Sequence, residues 1–490
     1  MPLLHSSPDK RTTVYTRRWW LLAMFALSGF VQNIVWNTWG PIAQSAKEVF
    51  GWSDGQIGML PNFANIAYIV TAFPASYFMD EKGLRISVLV GNGLVLAGAG
   101  VRCFTSVPEY ATWLMNLGAI FNGIAGTVFF AGPALLASIW FPPGQRTTAT
   151  AISSFVGNVG FAATFILGPQ LVSSPLYNTT VQHNAALAIF DGVTTQPSNT
   201  SHNITVLLNF EQLKNDIMRL MYYECGIAGV LFIATVIYFP SKPPTAPSYT
   251  ASLNRIEYTK ALSKIIRNGP LWLVAMANAI PAGIYGVWGS ELDIILDPVG
   301  IGQIEVGWIG FYAIIAGCIA SLCVARFADI FAKHMKLFLI VLYVLGGASF
   351  VWFTLLCNNV LEFSTDQLYV SCILGGLFLN ACLPLFYELC CETSYPMGEG
   401  ITGAFQTIIN NVSGVIFLFT LQIPHIGTAW MNWALLGSVG LGLVLLLVFP
   451  ETYGRTNLDI ARKMHTDMVV DIQVPSESDK DGQVESINSD

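Results

Sequence analysis

The stretch QNIVWNTWGPI, residues Gln32–Ile42, lies in the first long hydrophobic segment and returns in degraded form 249 residues later as IYGVWG, residues Ile284–Gly289. Gln32, Trp36 and Trp39 fall at i, i+4 and i+7, so in a helix the amide and the two indoles share one face. A segment that only crosses lipid has little use for such a face. The recurrence predicts two halves of related design, whose aromatic faces meet across a central cavity and hold a small solute.

The composition is that of a membrane protein rather than a soluble globule. Of 490 residues, 53% are hydrophobic and only 11% are charged, and the mean hydropathy is +0.56. No basic surface points to nucleic acid, and the cysteines lie mostly in apolar segments without a CxxC pair. No phosphate-loop, zinc or nucleophile motif stands out. We therefore expect no nucleic-acid partner, no cofactor or metal, and no enzymatic activity.

Twelve segments are long and apolar enough to span a bilayer, which takes about 20 residues. The predicted spans are residues 19–43, 56–79, 86–105, 111–140, 147–172, 221–239, 271–296, 305–325, 336–357, 367–391, 401–422 and 428–449. They divide six and six around a polar linker. The predicted domains are a tail at 1–18, a first half at 19–240, the linker at 241–268, a second half at 269–450 and an acidic tail at 451–490.

The basic residues predict which way the chain crosses the membrane. Most of them lie in the tails, the linker and the connections on one side, and cytosolic loops carry such an excess. Both termini and the linker are therefore predicted to be cytosolic. The long loop at 173–219 would face the lumen or the exterior, where its three sequons predict glycosylation. The sequons begin at Asn178, Asn199 and Asn203.

A second repeated pair supports the division into halves. The run FPPGQRTTATAISSFVGNVG at 141–160 matches YPMGEGITGAFQTIINNVSG at 395–414, and the match keeps a proline, a glycine, a threonine and the final glycine. Two six-helix halves related as parallel repeats form the major facilitator architecture. We predict an all-α membrane protein with this fold.

Charged turns occur at matching places in the two halves. YFMDEKGLRISV contains Asp80 and Arg85, and RFADIFAKHMK contains Arg326 and Asp329. Both turns resemble the loop signature of the major facilitator family, in which an acid and basic residues lock the cytosolic gate. The matching pair favours gating residues. The alternative is a solvated charged turn that only obeys the positive-inside rule.

Charge inside the predicted spans is scarce and therefore informative. Glu388 lies in the tenth span after a long, mostly apolar run. An ionised carboxylate at depth costs at least about 2.5 kcal/mol, so it faces a cavity, finds a partner or is protonated. Two interpretations stay open, a proton carrier and a hydrated structural residue near the cytosolic end. Glu291 and Asp293, at the outer end of the seventh span, are interpreted as mouth residues.

A set of aromatic and amide residues is predicted to bind the solute. It comprises Trp36, Tyr285, Asn158, Asn411, Gln32, Trp39 and Trp288. Aromatic rings with neutral amides suit a flat or cationic small molecule through stacking and cation–π contact, and they do not suit a multiply charged anion. Trp39 and Trp288 lie toward the outer ends of their spans, so an interfacial anchor is the alternative for both.

Several runs resemble solute carrier family 49, namely VWNTWGPI in the first span, KGLR, FPPGQRTTATA, GWIGFYAIIAGC with ARFAD, and ELCCETSYPMGEGIT. The resemblance covers essentially all twelve spans and implies a solute transporter. It implies that Trp36 and Tyr285 match the aromatic cage of choline-carrying relatives, and that Asn158 and Asn411 replace longer glutamines. A lysosomal branch of the family is linked to proton-driven export of pyridoxine. That link implies a flat ring at Trp36 and Tyr285 and a proton on Glu388.

We therefore expect secondary active transport of a small, flat or cationic metabolite by alternating access, with proton-coupled pyridoxine transport as the specific hypothesis. The alternatives are a choline/ethanolamine-type or haem-type metabolite transporter, and a receptor or scaffold that retains a transporter fold. The expected partners are a small solute, protons and the lipid bilayer, and we expect a monomer. The expected location is the lysosomal membrane. The plasma membrane is the alternative, because Leu3-Leu4 lacks the acidic residue of the family's dileucine signal.

Overall fold

A computed structural model describes residues 15–175, 199–244, 264–327, 334–394, 399–423 and 425–451. Within these residues the regular structure is helical, and twelve helices are long and apolar enough to cross a membrane. The twelve predicted spans are thus confirmed.

The helices divide between two halves of the chain. The first half contains α1 (Arg18–Trp36), α2 (Ala43–Phe50), α3 (Asp54–Lys82), α4 (Leu84–Arg102), α5 (Pro108–Trp140), α6 (Pro143–Leu171) and α7 (Asn199–Ile237). The second half contains α8 (Gly269–Ser290), α9 (Leu292–Leu296), α10 (Gln303–Phe327), α11 (Met335–Cys357), α12 (Thr365–Ser394), α13 (Glu399–Thr420) and α14 (Ala429–Val448). The short helices α2 and α9 do not span, so each half contributes six spanning helices.

Two predicted spans end well before their expected last residues. The first was expected to reach residue 43, but α1 ends at Trp36, and a short 3₁₀ turn follows at Gly40–Ile42. Pro41 cannot donate a helical hydrogen bond and disfavours the helical conformation at the residue before it. The seventh was expected to reach residue 296, but α8 ends at Ser290. Because of the first break, Trp39 does not continue the helical face that carries Trp36.

The predicted loop at 173–219 is shorter than expected, because α7 begins at Asn199. Leu213, Ile217 and Leu220 recur at helical spacing and are all buried. An apolar stripe of this period packs on the neighbouring helices, and the candidate membrane span, Asn209–Ile237, already contains it.

Each half packs around its own apolar core. In the first half α3 and α4 pack against α5, and α1 packs against α6. In the second half α10 and α11 pack against α12, and α8 packs against α13 and α14. The two halves meet along the pairs α3–α13 and α6–α10. Any path between the halves is therefore bounded by these four helices.

The bundle has two ends, which we name from the predicted orientation. The outer end carries the connections at 37–53 and 291–302, and the inner end carries the tight turn at Gly83 between α3 and α4. Gly83 has a φ of 82°, a left-handed value that favours glycine. At the outer end Gly40 lies against the carbonyl group of Ser290 with no room for a Cβ. The backbones of the two halves are thus in direct contact there, and the outer end is closed.

Candidate functional site

An aromatic wall lies in the first half at the end of α1. The half-buried Trp36 meets Phe130 of α5 edge to face, with ring centroids 6.1 Å apart, and Phe130 meets Tyr68 of α3 at 6.0 Å. Gly126 of α5 makes room for the indole, since a Cβ there would lie 3.1 Å from the Trp36 ring. Three helices therefore present aromatic surface at one level of the bundle.

Gln32 lies one turn before Trp36 and is completely buried. Neither its amide nitrogen nor its amide oxygen has a hydrogen-bond partner among the described residues. A Cβ at Gly126 would lie 3.2 Å from the amide nitrogen, so the amide faces the same part of α5 as the Trp36 ring. Leaving a buried polar group unpaired costs about 1–3 kcal/mol. The prediction of Gln32 as a site residue rested on spacing alone, and the structure adds an amide without a partner.

Sequence reasoning missed two further amides in the first half. Asn122 of α5 donates from Nδ2 to the main-chain carbonyl of Gln32 at 3.2 Å, and its Oδ1 has no partner among the described residues. Asn62 of α3 is fully buried and likewise has an Oδ1 without a partner. Their type and position in apolar spans were the available signals, because a buried amide needs a partner.

The second half presents Tyr285 of α8. Its ring lies 5.8 Å from that of Phe350 and stacks 6.3 Å from Trp288. Its hydroxyl group hydrogen-bonds the side chain of Asn380 and lies beside Gly376 of α12. The described partners of Tyr285 thus lie in the second half, as those of Trp36 lie in the first.

Trp39 and Trp288 are core residues in this structure. Trp39 is 3% exposed and packs edge to face on Trp52 at 5.2 Å. Trp288 is 1% exposed and donates from Nε1 to Oδ1 of Asn432 at 2.8 Å. An interfacial anchor needs an indole exposed at the boundary of the bilayer. The alternative of interfacial anchors is therefore wrong for both, and neither ring is open to a solute while the outer end is closed.

The two predicted asparagines, Asn158 and Asn411, make different kinds of contact. Asn158 is exposed and hydrogen-bonds the thiol of Cys318 on α10, so it connects the two halves. Asn411 donates from Nδ2 to the carbonyl oxygen of Thr407 one turn earlier, at 2.9 Å. Two other amides of α13 have atoms without a partner among the described residues: both amide atoms of Gln406, which is 2% exposed, and Oδ1 of Asn410. An orphaned glutamine thus occurs in each half.

A network of polar residues joins the halves at the outer end, and we call it the outer gate. It comprises Gln44, Ser45, Lys47, Asp54, Glu291, Asp293, Asp297 and Gln303. Gln44 donates its main-chain N–H to Oδ2 of Asp293 and its side-chain amide to Oδ1, both at 2.9 Å. The two residues are separated by the repeat offset of 249. Equivalent positions of the two halves therefore bind one another.

Charged groups complete the outer gate. The ammonium group of Lys47 contacts the carboxylate of Asp54 and lies 3.5 Å from that of Asp297. Ser45 donates its hydroxyl to Oε1 of Gln303 at 2.9 Å. The gate thus closes through bonds from α2 to the start of α10 and to the connection after α8.

Comparison with known proteins identifies the family. The model of the Major Facilitator Superfamily matches residues 19–203. The solute carrier family 49 member 4 homolog of Xenopus tropicalis is 37% identical over 465 residues, which cover 94% of this chain and 96% of that protein. The chain belongs to solute carrier family 49. The choline/ethanolamine transporter FLVCR1 of Felis catus is a more distant relative, 27% identical over 475 residues that cover 94% of this chain and 77% of that protein.

Solved transporter structures share the fold of this family 49 chain. A D-xylose-proton symporter aligns with a TM-score of 0.63 and 13% identity, covering 89% of this chain and 99% of that one. A bacterial homolog of the human lysosomal transporter Spinster, inward-facing and unoccupied, aligns with a TM-score of 0.61 and 13% identity, covering 89% and 96%. The predicted major facilitator fold is confirmed. The family also makes this chain a membrane transporter rather than an enzyme.

Glu388 lies near the inner end of α12, half-buried and engaged in a polar or ring contact. Its neighbour Tyr387 is 40% exposed and hydrogen-bonds Thr407 of α13. The family 49 chain therefore has a partly buried carboxyl group near the inner end of α12. Whether it carries a proton stays a prediction.

The predicted gating and glycosylation residues lie at the edges of the described chain. Arg85 is exposed at the start of α4. Asp80 and Arg326 belong to the last turns of α3 and α10, where only their backbones are described. Asp329 and the sequon asparagine Asn178 lie outside the described residues, and Asn199 and Asn203 lie at the start of α7 with undescribed side chains. These assignments stay predictions.

A buried ion pair was missed from the sequence. Arg102 of α4 and Glu224 of α7 are 2% and 4% exposed and lie 3.6 Å apart. Thr38 donates its hydroxyl to Glu224 at 2.8 Å, and Arg102 donates to the main-chain carbonyl of Val35 at 3.1 Å. The pair connects the end of α1 to two other helices of the first half.

Proposed function

We propose that this family 49 chain binds a small, flat or cationic organic molecule between its halves, at the level of Trp36 and Tyr285, and moves it by alternating access. The main support for this proposal is the Gln32 side chain. Its amide is buried without a partner one turn from the Trp36 ring. A ligand with its own donor and acceptor groups would remove the penalty of about 1–3 kcal/mol, while the rings supply stacking.

Pyridoxine meets both requirements, because it is a flat aromatic ring that carries hydroxyl groups and a ring nitrogen. Choline or ethanolamine is the second candidate, since the relative FLVCR1 bears that name and aligns over most of this chain. A quaternary ammonium ion suits aromatic rings through cation–π contact, but it offers the amide of Gln32 only one hydroxyl group. The orphaned amide therefore favours pyridoxine.

An uptake assay in cells tests the site. We expect Trp36→Ala and Tyr285→Ala each to lower pyridoxine uptake at least tenfold, because removing a buried aromatic contact costs about 1.5–3 kcal/mol. Trp113→Ala is the matched control, since this indole is 77% exposed on α5. Measuring choline uptake under the same conditions shows whether pyridoxine or choline is the transported solute. Normal uptake by both variants at normal surface level would remove the proposed site.

We also propose that Glu388 binds the coupled proton, which its partial burial supports. Glu388→Gln should flatten the pH profile of uptake while the protein remains in the membrane. Tyr387→Phe, at the adjacent exposed position, controls for local disturbance of α12. A pH profile equal to that of the wild type would reject a proton on Glu388.

The proposed location is the lysosomal membrane, with the outer end toward the lumen and both termini in the cytosol. The charge distribution and the clustered sequons support this orientation. Glycosidase treatment of the wild type and of the triple variant Asn178→Gln, Asn199→Gln, Asn203→Gln tests it. A mobility shift that the triple variant lacks is expected. No shift in the wild type, together with staining at the plasma membrane, would contradict the location.

A further inference from the structure

The outer gate contains a buried carboxyl group that the solute path does not use. Glu291 is 1% exposed, and neither of its carboxyl oxygens has a hydrogen-bond donor among the described residues. It follows Ser290, the last residue of α8, so it lies beyond the seventh span and at the opposite end of the bundle from Glu388. An ionised carboxylate buried without a donor is strongly unfavourable.

The groups around Glu291 do not neutralise it. The nearby charges are Asp54 at the start of α3, Lys47 on α2 and Asp293 on α9. Lys47 contacts Asp54 and Asp297 rather than Glu291. Four carboxyl groups thus share one ammonium group at a closed contact between the halves.

Burial and neighbouring charge both favour bound protons. Burial, followed by the charge of Asp54, raises the pKa of Glu291 to about 8, and Lys47 opposes the rise. Burial likewise raises the pKa of Asp293 to about 7, although the hydrogen bonds from Gln44 act to lower it. The Asp297 charge adds to the rise at Asp293.

We propose that Glu291 and Asp293 form a proton-binding site built into the outer gate, which closes with protons bound and opens when they leave. The site is separate from Glu388, and it operates whichever solute the transporter carries. Protonation removes the buried charge of Glu291, and it leaves Asp293 one carbonyl oxygen that keeps accepting one of the two Gln44 hydrogen bonds. Opening exposes both carboxyl groups to water, where they ionise.

The direction of the pH dependence follows from the two states. In the open gate the carboxyl groups have ordinary pKa values near 4, and in the closed gate their pKa values are raised to about 7 and 8. Between these limits the closed gate holds protons that the open gate lacks. Acidification therefore favours the closed gate, and raising the pH from about 4 towards 7 to 8 favours opening, with no further change above the closed-state pKa values. With an acidic compartment at the outer end, protons would drive the carrier toward the state that opens at the inner end.

Distance measurements on the purified full chain in lipid nanodiscs test the proposal. Fluorophores on unnatural amino acids at Phe104 and Leu361, both exposed at the outer end, report the separation of the halves between pH 5 and 8.5. The ratio of open to closed molecules should rise with pH by about tenfold per unit for each carboxyl that titrates. Glu291→Gln, which mimics the protonated acid, should stay closed at higher pH and lose about half of the slope. The exposed carboxyl of Glu305 gives the control, Glu305→Gln, with unchanged behaviour.

Two results would overturn the proposal. One is a wild-type distance distribution that does not change between pH 5 and 8.5. The other is a folded Glu291→Gln variant that keeps the full pH dependence. If that variant does not fold, the wild-type titration decides alone, because opening on acidification or no response contradicts the predicted sign.

Discussion

The close approach of Gly40 to Ser290 gives the most direct test of the closed outer end. A Cβ on Gly40 would overlap the carbonyl oxygen of Ser290 and lie 2.9 Å from its carbonyl carbon. Real Cβ atoms essentially never come within 3.0 Å of such atoms, so something must shift. The opposing atoms are backbone of the other half and cannot rotate away. Gly40→Ala should therefore push the two halves apart at the outer end.

The expected size of the effect follows from the cost of overpacking. An extra carbon in a tightly packed site costs about 1–3 kcal/mol. Opening the gate relieves the overlap, so the penalty applies to the closed state only. The ratio of open to closed molecules should rise by about 5- to 150-fold at fixed pH.

The repeat supplies a matched control for Gly40→Ala. Gly289 is the equivalent residue of the second Trp-Gly pair, and a Cβ there meets nothing within 4 Å. Gly289→Ala should leave the gate unchanged. Gly283→Ala is a second control of another kind, because its Cβ would overlap the carbonyl oxygen of Asn410 within the same half. It should lower thermal stability without shifting the distance between the halves.

The assay is the distance between labels at Phe104 and Leu361, measured with the thermal midpoint of each variant. We expect a longer distance and a near-normal midpoint for Gly40→Ala alone. The reasoning fails if Gly40→Ala and Gly289→Ala give the same distance distribution. It also fails if Gly40→Ala behaves as Gly283→Ala does, with lost stability and an unchanged gate.

Three further predictions concern buried polar groups, each checked by thermal unfolding in detergent. Arg102→Met should cost about 3–5 kcal/mol by leaving Glu224 buried and unpaired, and adding Glu224→Gln should restore most of the loss. Gln32→Leu should raise the thermal midpoint while lowering solute uptake, because it removes an unpaired amide that a ligand would use. Trp288→Phe should cost about 1–3 kcal/mol, because Asn432 then loses its donor inside the core. An unchanged midpoint in any of the three would contradict the corresponding assignment.

Much of the fold could be predicted because the bilayer imposes it. Span length and apolar composition located all twelve helices, and the repeat gave the two halves. The helix ends at Trp36 and Ser290 were harder to predict, since apolar residues continue past both. Pro41 was the available signal at the first break.

The candidate site was predicted less completely, because side-chain direction changes by about 100° with each helical residue. The sequence predicts Asn411 on α13, but the Asn411 amide nitrogen donates to Thr407, and both amide atoms of Gln406 lack a partner among the described residues. Spacing also placed Trp39 on the face of Trp36, which fails once the helix ends between them. Sequence alone could name the aromatic and amide types, but it could not say which members lack partners.

The outer gate shows what the repeat adds beyond fold. The offset of 249 aligns Gln44 with Asp293, and the structure makes these two residues bind one another across the halves. Two aspartates at these positions would repel, and two glutamines could not titrate. One amide facing one carboxyl group both closes the gate and keeps it sensitive to protons. Because the two halves differ at this shared position, Gln44 can bond to a carboxyl group that titrates, which two identical residues could not provide.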